Sequence, residues 1–287
     1  MKSKIKVIVV VVVLLCIGIL LAIPKTTYEK WFNKEPVIDN VVNDDDSPTL
    51  LVYLQNEKGQ LVGVNVKVDN LEEDQILQKW NLLTSNSELL PNGYTSALNK
   101  DVVLNSYEIK EHVLVLDVSS EISLSKGRVT AETLAWTFGE GEIEEIKLVV
   151  NNEPVTEING YRINKITKKM GTNLEYETSY LFESNATTVV YVEEDYLLPV
   201  TYFHLEEDVC TYIIEKTFNQ LSVEISDYEY ELSEEALVIN FLDETTLSEK
   251  ALEALTMSFD TNFELIKFTV NNASENLYEA VFGEIEE

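Results

Sequence analysis

The chain has 287 residues, of which 45% are hydrophobic and 9% aromatic, a composition that supports ordinary folded cores and excludes a mainly disordered protein. Asp and Glu number 51 against 21 Lys and Arg, so the formal net charge is −30 at pH 7. Phosphate backbones and anionic wall polymers repel such a chain, which excludes nucleic-acid binding and favours a basic protein or a cation as partner. Two cysteines and two histidines exclude a disulfide framework and leave little material for a zinc site.

The amino-terminal segment is typical of a membrane anchor. Residues 1–6 form a basic tail with three lysines, and residues 7–23 form an uncharged apolar run. These seventeen residues, at about 1.5 Å each, reach roughly 26 Å, the short end for a membrane span. Because lysines precede the run, we predict a cytoplasmic tail and an uncleaved transmembrane signal anchor over residues 7–23. The body is then held at the cell membrane, on its extracytoplasmic side.

Two other fates of this segment remain open. A secretory signal cut after Ala22 would have Leu20 at position −3, where a small residue is preferred. A lipoprotein signal would use Cys16, but the bulky Leu15 precedes it. All three interpretations place the body outside the cytoplasm. Residues 24–48 are polar, and their aspartate run lacks the alternating pattern of a calcium loop, so we predict a solvated linker there.

Four short segments recur in the same order, which indicates an internal duplication. The matched segments are residues 51–54 with 189–192, 71–74 with 205–208, 114–117 with 237–240, and 146–152 with 266–272. We therefore predict a first domain over residues 49–158 and a second over residues 187–287, as separate folding units. Residues 159–186 are assigned as an inter-domain linker, with extra strands as the open alternative.

Each copy is predicted to be α+β. In the first, residues 49–54 and 61–68 read as a hairpin around a Lys58-Gly59 turn. Asn70 and Glu73 have the spacing of a capping box. The helix that follows is expected to bury four residues, Ile76, Leu77, Trp80 and Leu83. In the second copy Cys210 lies on the apolar stripe of the same helix, so we interpret it as a small buried hydrophobe.

A second α+β segment follows in each copy. Strands are expected near residues 102–109 and 113–118, followed by a helix with an apolar stripe that ends at Gly139. Ser248 is placed to cap the equivalent helix, and a last strand is expected at residues 146–150 or 266–270. Two helices packed on a small sheet predict a two-layer α/β sandwich for each domain.

These residues resemble the GerMN domain of GerM-type sporulation and germination proteins. The resemblance rests on Leu-Leu-Pro-Asn-Gly-Tyr-Thr-Ser-Ala-Leu at residues 89–98, the strands at 101–109 and 112–119, and the closing helix and strand. It covers residues 49–157 well and 187–281 less well. The second copy lacks the Pro-Gly-Ser loop and has Asn240 where the first has Asp117.

The resemblance implies a fold similar to the ring-building modules of the sporulation apparatus. It also implies a structural role outside the mother-cell membrane, in assembly at the engulfing septum and in spore cortex peptidoglycan formation. Partners would be other sporulation or septal membrane proteins, with basic ones favoured by the charge, and the protein would work in an oligomeric assembly.

Nothing in the sequence assembles a catalytic site, so we predict a non-enzymatic protein without catalytic, cofactor-binding or metal-binding residues. Paired carboxylates would serve a wall hydrolase, but Glu72, Glu73 and Asp74 are explained by a helix start, where acidic side chains favour the positive dipole end. The other polar candidates are assigned to loops and turns: Asp117 to a turn, with a position facing a pocket as the open alternative, His112 to a surface turn, and His204 to a cap or loop.

A binding module for wall glycan or a small ligand is the alternative function. Aromatic side chains stack on sugars, and the candidates are Trp80, Trp136, Tyr94 and Tyr107. Both tryptophans lie in predicted helices, where core packing is the usual role of this residue.

Overall fold

The computed structural model describes most of the predicted two-copy body. The described residues are 47–72, 74–84, 90–193, 196–221, 227–233, 236–243, 247–263, 265, 267–273 and 276–281. The predicted anchor at residues 7–23 and the linker up to residue 46 lie outside this set. Within it, no helix has the length and apolarity needed to cross a membrane.

Both copies fold in the order ββαββαββ, which confirms the α+β class and the duplication. The first repeat consists of β1 (Thr49–Gln55), β2 (Leu61–Lys67), α1 (Gln75–Thr84), β3 (Leu104–Lys110), β4 (Val113–Val118), a 3-10 turn (Ser120–Leu124), α2 (Arg128–Phe138), β5 (Glu145–Val150) and β6 (Glu153–Pro154). Three short strands follow: β7 (Glu157–Ile158), β8 (Tyr161–Arg162) and β9 (Glu175–Tyr176). The second repeat consists of β10 (Asn185–Val192), β11 (Leu197–His204), α3 (Val209–Leu221), β12 (Tyr228–Leu232), β13 (Ala236–Phe241), α4 (Glu249–Asn262), β14 (Lys267–Asn271) and β15 (Asn276–Val281). Strands β6 and β15 were not predicted.

Each repeat contains its own four-stranded sheet, β3-β4-β5-β6 or β12-β13-β14-β15. The two central strands, β4 with β5 and β13 with β14, run parallel, and the outer strands pair antiparallel. A parallel pair needs a crossover, and helices α2 and α4 supply it. At the end of β5, Asn151 and Asn152 both have positive φ, as the predicted turn requires.

The two hairpins, β1–β2 and β10–β11, join in one further sheet. Its order is β1-β2-β11-β10, with Leu197 paired to Gly63 at the junction. Val190 and Leu197 of the second repeat lie in the same hydrophobic core as Trp136 of the first. Residues Pro48–Glu287 accordingly form one compact unit, and the prediction of two separate units is corrected. The short repeat matches in the sequence carried no information about this pairing between copies.

The junction is completed by the side chain of Asn173. Its amide nitrogen donates to the carbonyl oxygens of Leu61 and Pro199, at 2.7 Å each, and its oxygen accepts from the Leu61 N–H at 2.9 Å. Proline has no N–H to offer a neighbouring strand, so this side chain supplies a hydrogen bond that a backbone group cannot. Asn173 has φ +45°, a conformation that asparagine tolerates better than most residues.

The helices lie between two sheets, which corrects the two-layer prediction. Helix α2 contacts β1 and β2 as well as β5, and all nine residues from Thr130 to Phe138 are buried. The predicted apolar stripe does face the core, but the opposite, threonine-bearing side is covered by the hairpin. In the second repeat α4 packs against β10, and Phe259 also contacts Phe268 of β14 with ring centroids 5.4 Å apart.

Hydroxyl groups on these helices accept hydrogen bonds from backbone N–H groups of the two edge strands, β1 and β10, of the shared sheet. Thr137 Oγ1 of α2 accepts from the Tyr53 N–H at 3.0 Å, and Ser258 Oγ of α4 accepts from the Val190 N–H at 2.8 Å. Because these two bonds are equivalent, Tyr53 aligns with Val190. The alignment from the sequence match of 51–54 with 189–192 differs from this one by one residue. Burial supports the new register, since the half-buried Gln55 then aligns with the half-buried Val192. A one-residue slip in a strand exchanges its two faces, so short apolar matches alone could not settle the alignment.

The predicted linker over residues 159–186 is built into the fold. Ile166 forms a bridge with Ile146, and β9 runs parallel to β11. The Thr172 hydroxyl donates to the buried Glu132 carboxylate of α2 at 2.9 Å, and Arg128 binds the same carboxylate at 2.5 Å. This segment therefore belongs to the extra-strand alternative rather than to a free linker.

The first helix of each repeat starts at an aspartate. Asp74 Oδ1 accepts from the Leu77 N–H at 2.9 Å, and Asp208 Oδ1 accepts from the Thr211 N–H at 3.1 Å, so each is the N-cap. Asn70 is four residues too early, and the predicted capping box is corrected; Glu73 lies outside the described residues. Since the helix begins at Gln75, Leu77 falls in its first turn and is 37% exposed rather than buried.

Gly139 ends α2 as predicted, but for a different reason. Its φ is −78°, so no left-handed conformation is involved; instead, a Cβ at this position would lie 2.4 Å from the carbonyl oxygen of Ala135. We expect Gly139→Ala to lower the free energy of unfolding by about 1–3 kcal/mol, because backbone must shift to relieve the overlap. Gly141→Ala is the control for space, since nothing lies within 4 Å of its Cβ, although its φ of +58° adds conformational strain. Chemical denaturation of both variants measures the difference, and an effect at Gly139 no larger than at Gly141 would contradict the overlap.

Candidate functional site

The polar residues considered as catalytic candidates are dispersed over the fold. Asp117 lies within β4, half-buried on its outer side, so its prediction as a turn residue is wrong. His112 occupies the two-residue turn between β3 and β4 with φ +64°, which confirms the surface-turn prediction. Glu72 is exposed ahead of α1. Among the described residues, no group of three His, Cys, Asp or Glu side chains is placed to hold a metal ion.

Each N-cap aspartate is also bound by a tyrosine from the neighbouring sheet. The Tyr230 hydroxyl donates to Asp208 Oδ1 at 2.8 Å, and Tyr107 makes the equivalent bond to Asp74. The hydrogen bond to Asp208 raises the pKa of Tyr230 to about 12. These carboxylates therefore have structural partners in both repeats. The assignment of Asp74 to a helix start agrees with this geometry.

The tryptophans offered for sugar stacking are not accessible. Trp80 and Trp136 are 1% and 2% exposed, and Trp80 stacks on Phe138 with centroids 6.5 Å apart. Neither indole face is open to a ligand, which removes the main support for the glycan-binding alternative. Cys210 is likewise buried, and burial raises the pKa of its thiol to about 12, so it is a packing residue rather than a nucleophile.

A group of polar side chains lies at the end of β11. His204 is buried there and does not lie in the predicted cap or loop. Its ring stacks on Tyr212 of α3, with centroids 3.6 Å apart and planes 7° from parallel. Nε2 lies 2.8 Å from Thr187 Oγ1 of β10. The sequence prediction failed because strand β11, with Pro199 inside it, was not recognised.

Glu177 connects this histidine to the surface. The Tyr212 hydroxyl donates to Glu177 Oε2 at 2.8 Å, and Lys216 forms a salt bridge with Glu177 Oε1. The Lys216 ammonium also lies 4.6 Å from the ring centroid of Tyr202, within cation–π distance. Tyr202 in turn shares a 2.8 Å hydrogen bond with Tyr191. We name these side chains the second-repeat polar cluster. Its members are Glu177, Thr187, Tyr191, Tyr202, His204, Tyr212 and Lys216.

The first repeat has no equivalent of the second-repeat polar cluster. In the corrected register Thr187 and Tyr191 align with Leu50 and Leu54, and the N-cap match aligns Tyr212 and Lys216 with Gln78 and Leu82. Apolar packing thus replaces most of the network. The cluster is specific to the second repeat, and no repeated signal in the sequence could have located it.

The cluster is arranged for structure rather than for catalysis. His204 and Thr187 have the spacing of a base and a nucleophile, but they are 2% and 0% exposed, so no substrate reaches them. Burial raises the pKa of Glu177, yet the hydrogen bonds from Lys216 and Tyr212 outweigh it and leave the pKa below its ordinary value. The carboxylate is thereby held ionised and already paired.

Burial lowers the pKa of His204 below its ordinary value of 6.5, although Glu177 acts in the opposite direction. The folded protein favours the neutral ring, so the unfolded chain binds more protons once the pH falls below 6.5. Stability should therefore fall between pH 7 and pH 5, by at most about 1.4 kcal/mol per pH unit from this one proton. At lower pH the Glu177 carboxylate begins to be protonated, and the stability that its paired, ionised form contributes is lost as well.

His204→Phe keeps a ring against Tyr212 but removes the titration, and we expect it to flatten the stability curve between pH 7 and pH 5. Urea denaturation across this range measures the slope. His112→Asn is the matched control, since it removes the exposed histidine and asparagine tolerates the positive φ. An unchanged slope in the His204 variant would contradict a neutral buried imidazole.

An exposed loop lies directly beside the second-repeat polar cluster. Residues 175–184, here named the aromatic loop, comprise β9 and its connection to β10, and present exposed side chains of Tyr176, Tyr180, Leu181 and Phe182. Leu205, also exposed, lies at its end because the adjacent His204 pairs with Asn185. The start of the loop is held against β11, because Tyr176 stacks on Phe203 with centroids 5.0 Å apart, and a turn closes within the loop, where Ser184 Oγ donates to the Leu181 carbonyl oxygen at 3.0 Å.

Comparison with known proteins finds a family match for the first repeat. The family model Germane, described as sporulation and spore germination, matches residues 51–156. A search among curated proteins gives no match.

The two repeats together match a solved tandem. The chain is similar to the tandem GerMN domains of the sporulation protein GerM from Bacillus subtilis, with 20% identity, a TM-score of 0.65, and coverage of 79% of this chain and 91% of that one. This likeness shows that the two folds agree, including the duplication.

Two smaller structures also match. The first GerMN domain of the same Bacillus subtilis protein has 24% identity and a TM-score of 0.39, covering 42% of this chain and 98% of that one. A putative lipoprotein from Clostridium perfringens has 20% identity and a TM-score of 0.27, covering 43% of this chain and 89% of that one.

Proposed function

We propose that the chain is a non-enzymatic assembly protein of sporulation, tethered to the cell membrane by residues 7–23 with both repeats on the extracytoplasmic side. The observation that carries the proposal is the Germane match over residues 51–156, within a body that shares its tandem fold with a sporulation protein. The process named by the family supplies the biological setting. Spore cortex formation and assembly at the engulfing septum are the steps proposed for it.

The described residues favour binding over chemistry. The histidine and carboxylate candidates are either far apart, capped by structural partners or inaccessible, as for His204 and Thr187. The aromatic loop, by contrast, presents large apolar side chains to solvent, and exposed apolar patches of this kind mark contact surfaces. An assembly role needs such a surface and no cofactor.

Deletion of the gene tests the sporulation role. We expect heat-resistant spore counts to fall while vegetative growth is unchanged, and a tagged full-length chain to appear at the septum during engulfment. A deletion strain that sporulates and germinates normally would contradict the proposal.

Membrane topology is tested by adding protease to intact protoplasts. The proposal expects the body to be degraded while the apolar segment stays membrane-bound. Cys16→Ser should leave the attachment intact; its loss would favour the lipoprotein alternative, and full protection of the body would reverse the topology.

The absence of chemistry is tested by replacing the three isolated polar candidates together, as Asp117→Asn, His112→Asn and His204→Phe. We expect this variant to complement the deletion strain, provided that its thermal unfolding shows a folded body. A folded triple variant without any function would reveal a chemical site.

A further inference from the structure

We propose that the aromatic loop, residues 175–184 together with Leu205, is the docking surface for a partner protein that presents an apolar groove bordered by lysine or arginine. This inference rests on the proposed assembly function and names the surface and the partner chemistry for it. Its observations are the exposure of the apolar side chains, the rigidity of the loop and the charge around it.

The loop concentrates exposed apolar area to a degree seen nowhere else among the described residues. Phe182 is fully exposed, and Tyr176, Tyr180, Leu181 and Leu205 are each more than half exposed. Other exposed large apolar residues, such as Leu124 and Val103 in the first repeat and Leu242 in the second, are scattered over the body. Single exposed apolar residues are ordinary on protein surfaces, but five on one short loop and its neighbour are a concentration typical of an interaction site.

The start of the loop is anchored to the body before any partner arrives, and a turn closes its middle. Glu177 N–H donates to the Phe203 carbonyl oxygen at 3.0 Å, and Glu183 N–H donates to that of Tyr180 at 3.1 Å. The Glu177 side chain is held by Tyr212 and Lys216 of helix α3. A fixed loop loses little conformational entropy on binding, and aromatic side chains are the usual energetic centres of protein interfaces.

The charge around the loop selects the partner. No lysine or arginine occurs between Lys169 and Lys216, whereas this stretch contains ten Asp and Glu residues. Lys216 itself is paired with Glu177. An anionic lipid surface is therefore repelled, and a second copy of the chain carries the same net charge of −30. A basic rim around an apolar groove is complementary to both features of the patch.

The second-repeat polar cluster has a supporting role in this account. It anchors Glu177, at the start of the exposed segment, to α3 and β11 through Tyr212 and Lys216. The described part of the first repeat has no equivalent of this network. Docking is consequently assigned to the second repeat alone.

In-cell photocrosslinking of the full-length chain tests the proposal. The photoreactive residue p-benzoylphenylalanine is placed at position 182 and, as a control on an exposed apolar position outside the patch, at position 124. We expect a discrete protein crosslink from position 182 and none from position 124, with the crosslinked peptide carrying Lys or Arg beside apolar residues. A crosslink to a second copy of the chain, to lipid or to an acidic peptide overturns the proposal, as does no crosslink at all.

Two sets of variants separate apolar contact from charge. Tyr180→Ser with Leu181→Ser should reduce the crosslink from position 182 by about tenfold or more, because truncating interface centres has large effects. Glu183→Lys with Glu206→Lys should reduce it several-fold, whereas Leu124→Ser should leave it unchanged. All of these positions are exposed, and unchanged thermal unfolding verifies the fold. Equal crosslinking in every variant overturns the assigned surface.

Failure of the docking proposal can be distinguished from failure of the proposed function. If gene deletion impairs sporulation but Phe182→Ser with Leu181→Ser sporulates normally, the function stands and the docking surface is rejected. If deletion has no effect on sporulation, the function is rejected, and the crosslinks from growing cells decide the docking surface independently.

Discussion

Leu116→Ala and Ile239→Ala should each lower the free energy of unfolding by about 2–5 kcal/mol, the usual cost of truncating a buried aliphatic side chain. Both residues are fully buried at equivalent places in the parallel strands β4 and β13. Removal of either leaves a cavity between its sheet and the helix that covers it. Leu124→Ala is the control of equal size, since this leucine is 66% exposed and should change stability by less than about 0.5 kcal/mol.

The tryptophans make the Ile239 experiment more informative than a simple stability measurement. Trp80 and Trp136 lie in the first repeat, and the sequence has no tryptophan after residue 136. Because the repeats share a sheet and a core, we expect Ile239→Ala to shift unfolding followed by tryptophan fluorescence as far as unfolding followed by circular dichroism. If the fluorescence transition stayed at its wild-type position, the repeats would be unfolding independently.

Val190→Asp is expected to have the largest effect, abolishing the folded state of both repeats or destabilising it by about 4 kcal/mol or more. Val190 belongs to β10 of the second repeat but is fully buried in the core that contains Trp136. A carboxylate placed there loses its hydration and lies among apolar neighbours. The measurement is the loss of the near-ultraviolet circular dichroism of the first-repeat tryptophans.

A conservative replacement distinguishes burial from a general intolerance of change at this position. Val190→Ala should retain the fold and cost about 2 kcal/mol, while Val192→Asp, at the half-buried end of the same strand, should cost clearly less than Val190→Asp. Similar behaviour of the two aspartate variants would show that the contact between repeats is not tightly packed.

The sequence was informative wherever structure depends on local pattern. The helix around Trp80 and its counterpart at Cys210 follow from apolar spacing, and Ser248 caps α4 as predicted, with its Oγ accepting from the Ala251 N–H at 3.2 Å. The turn at Asn151 follows from residue type. These features need only neighbours within a few positions, which is why single residues sufficed to place them.

The features that the sequence did not predict depend on contacts between distant segments. The buried Lys79 pairs with Glu140, and the burial of Glu132 depends on Thr172, forty positions away. No local pattern distinguishes such residues from charged surface positions. His204 failed for the same reason: its environment is assembled from β10, α3 and the aromatic loop, and its neighbours in sequence look like those of a loop.

The junction between the hairpins has approximate twofold symmetry. Equivalent strands, β2 and β11, meet antiparallel, and Asn173 binds Leu61 and Pro199, which face each other two residues along from the pairing of Gly63 with Leu197. Like surfaces meeting in this way form the isologous contact of a symmetric dimer. One polypeptide thus contains the arrangement that two single-repeat chains would reach by dimerising, and Asn173 breaks its symmetry because only one such residue comes with each tandem.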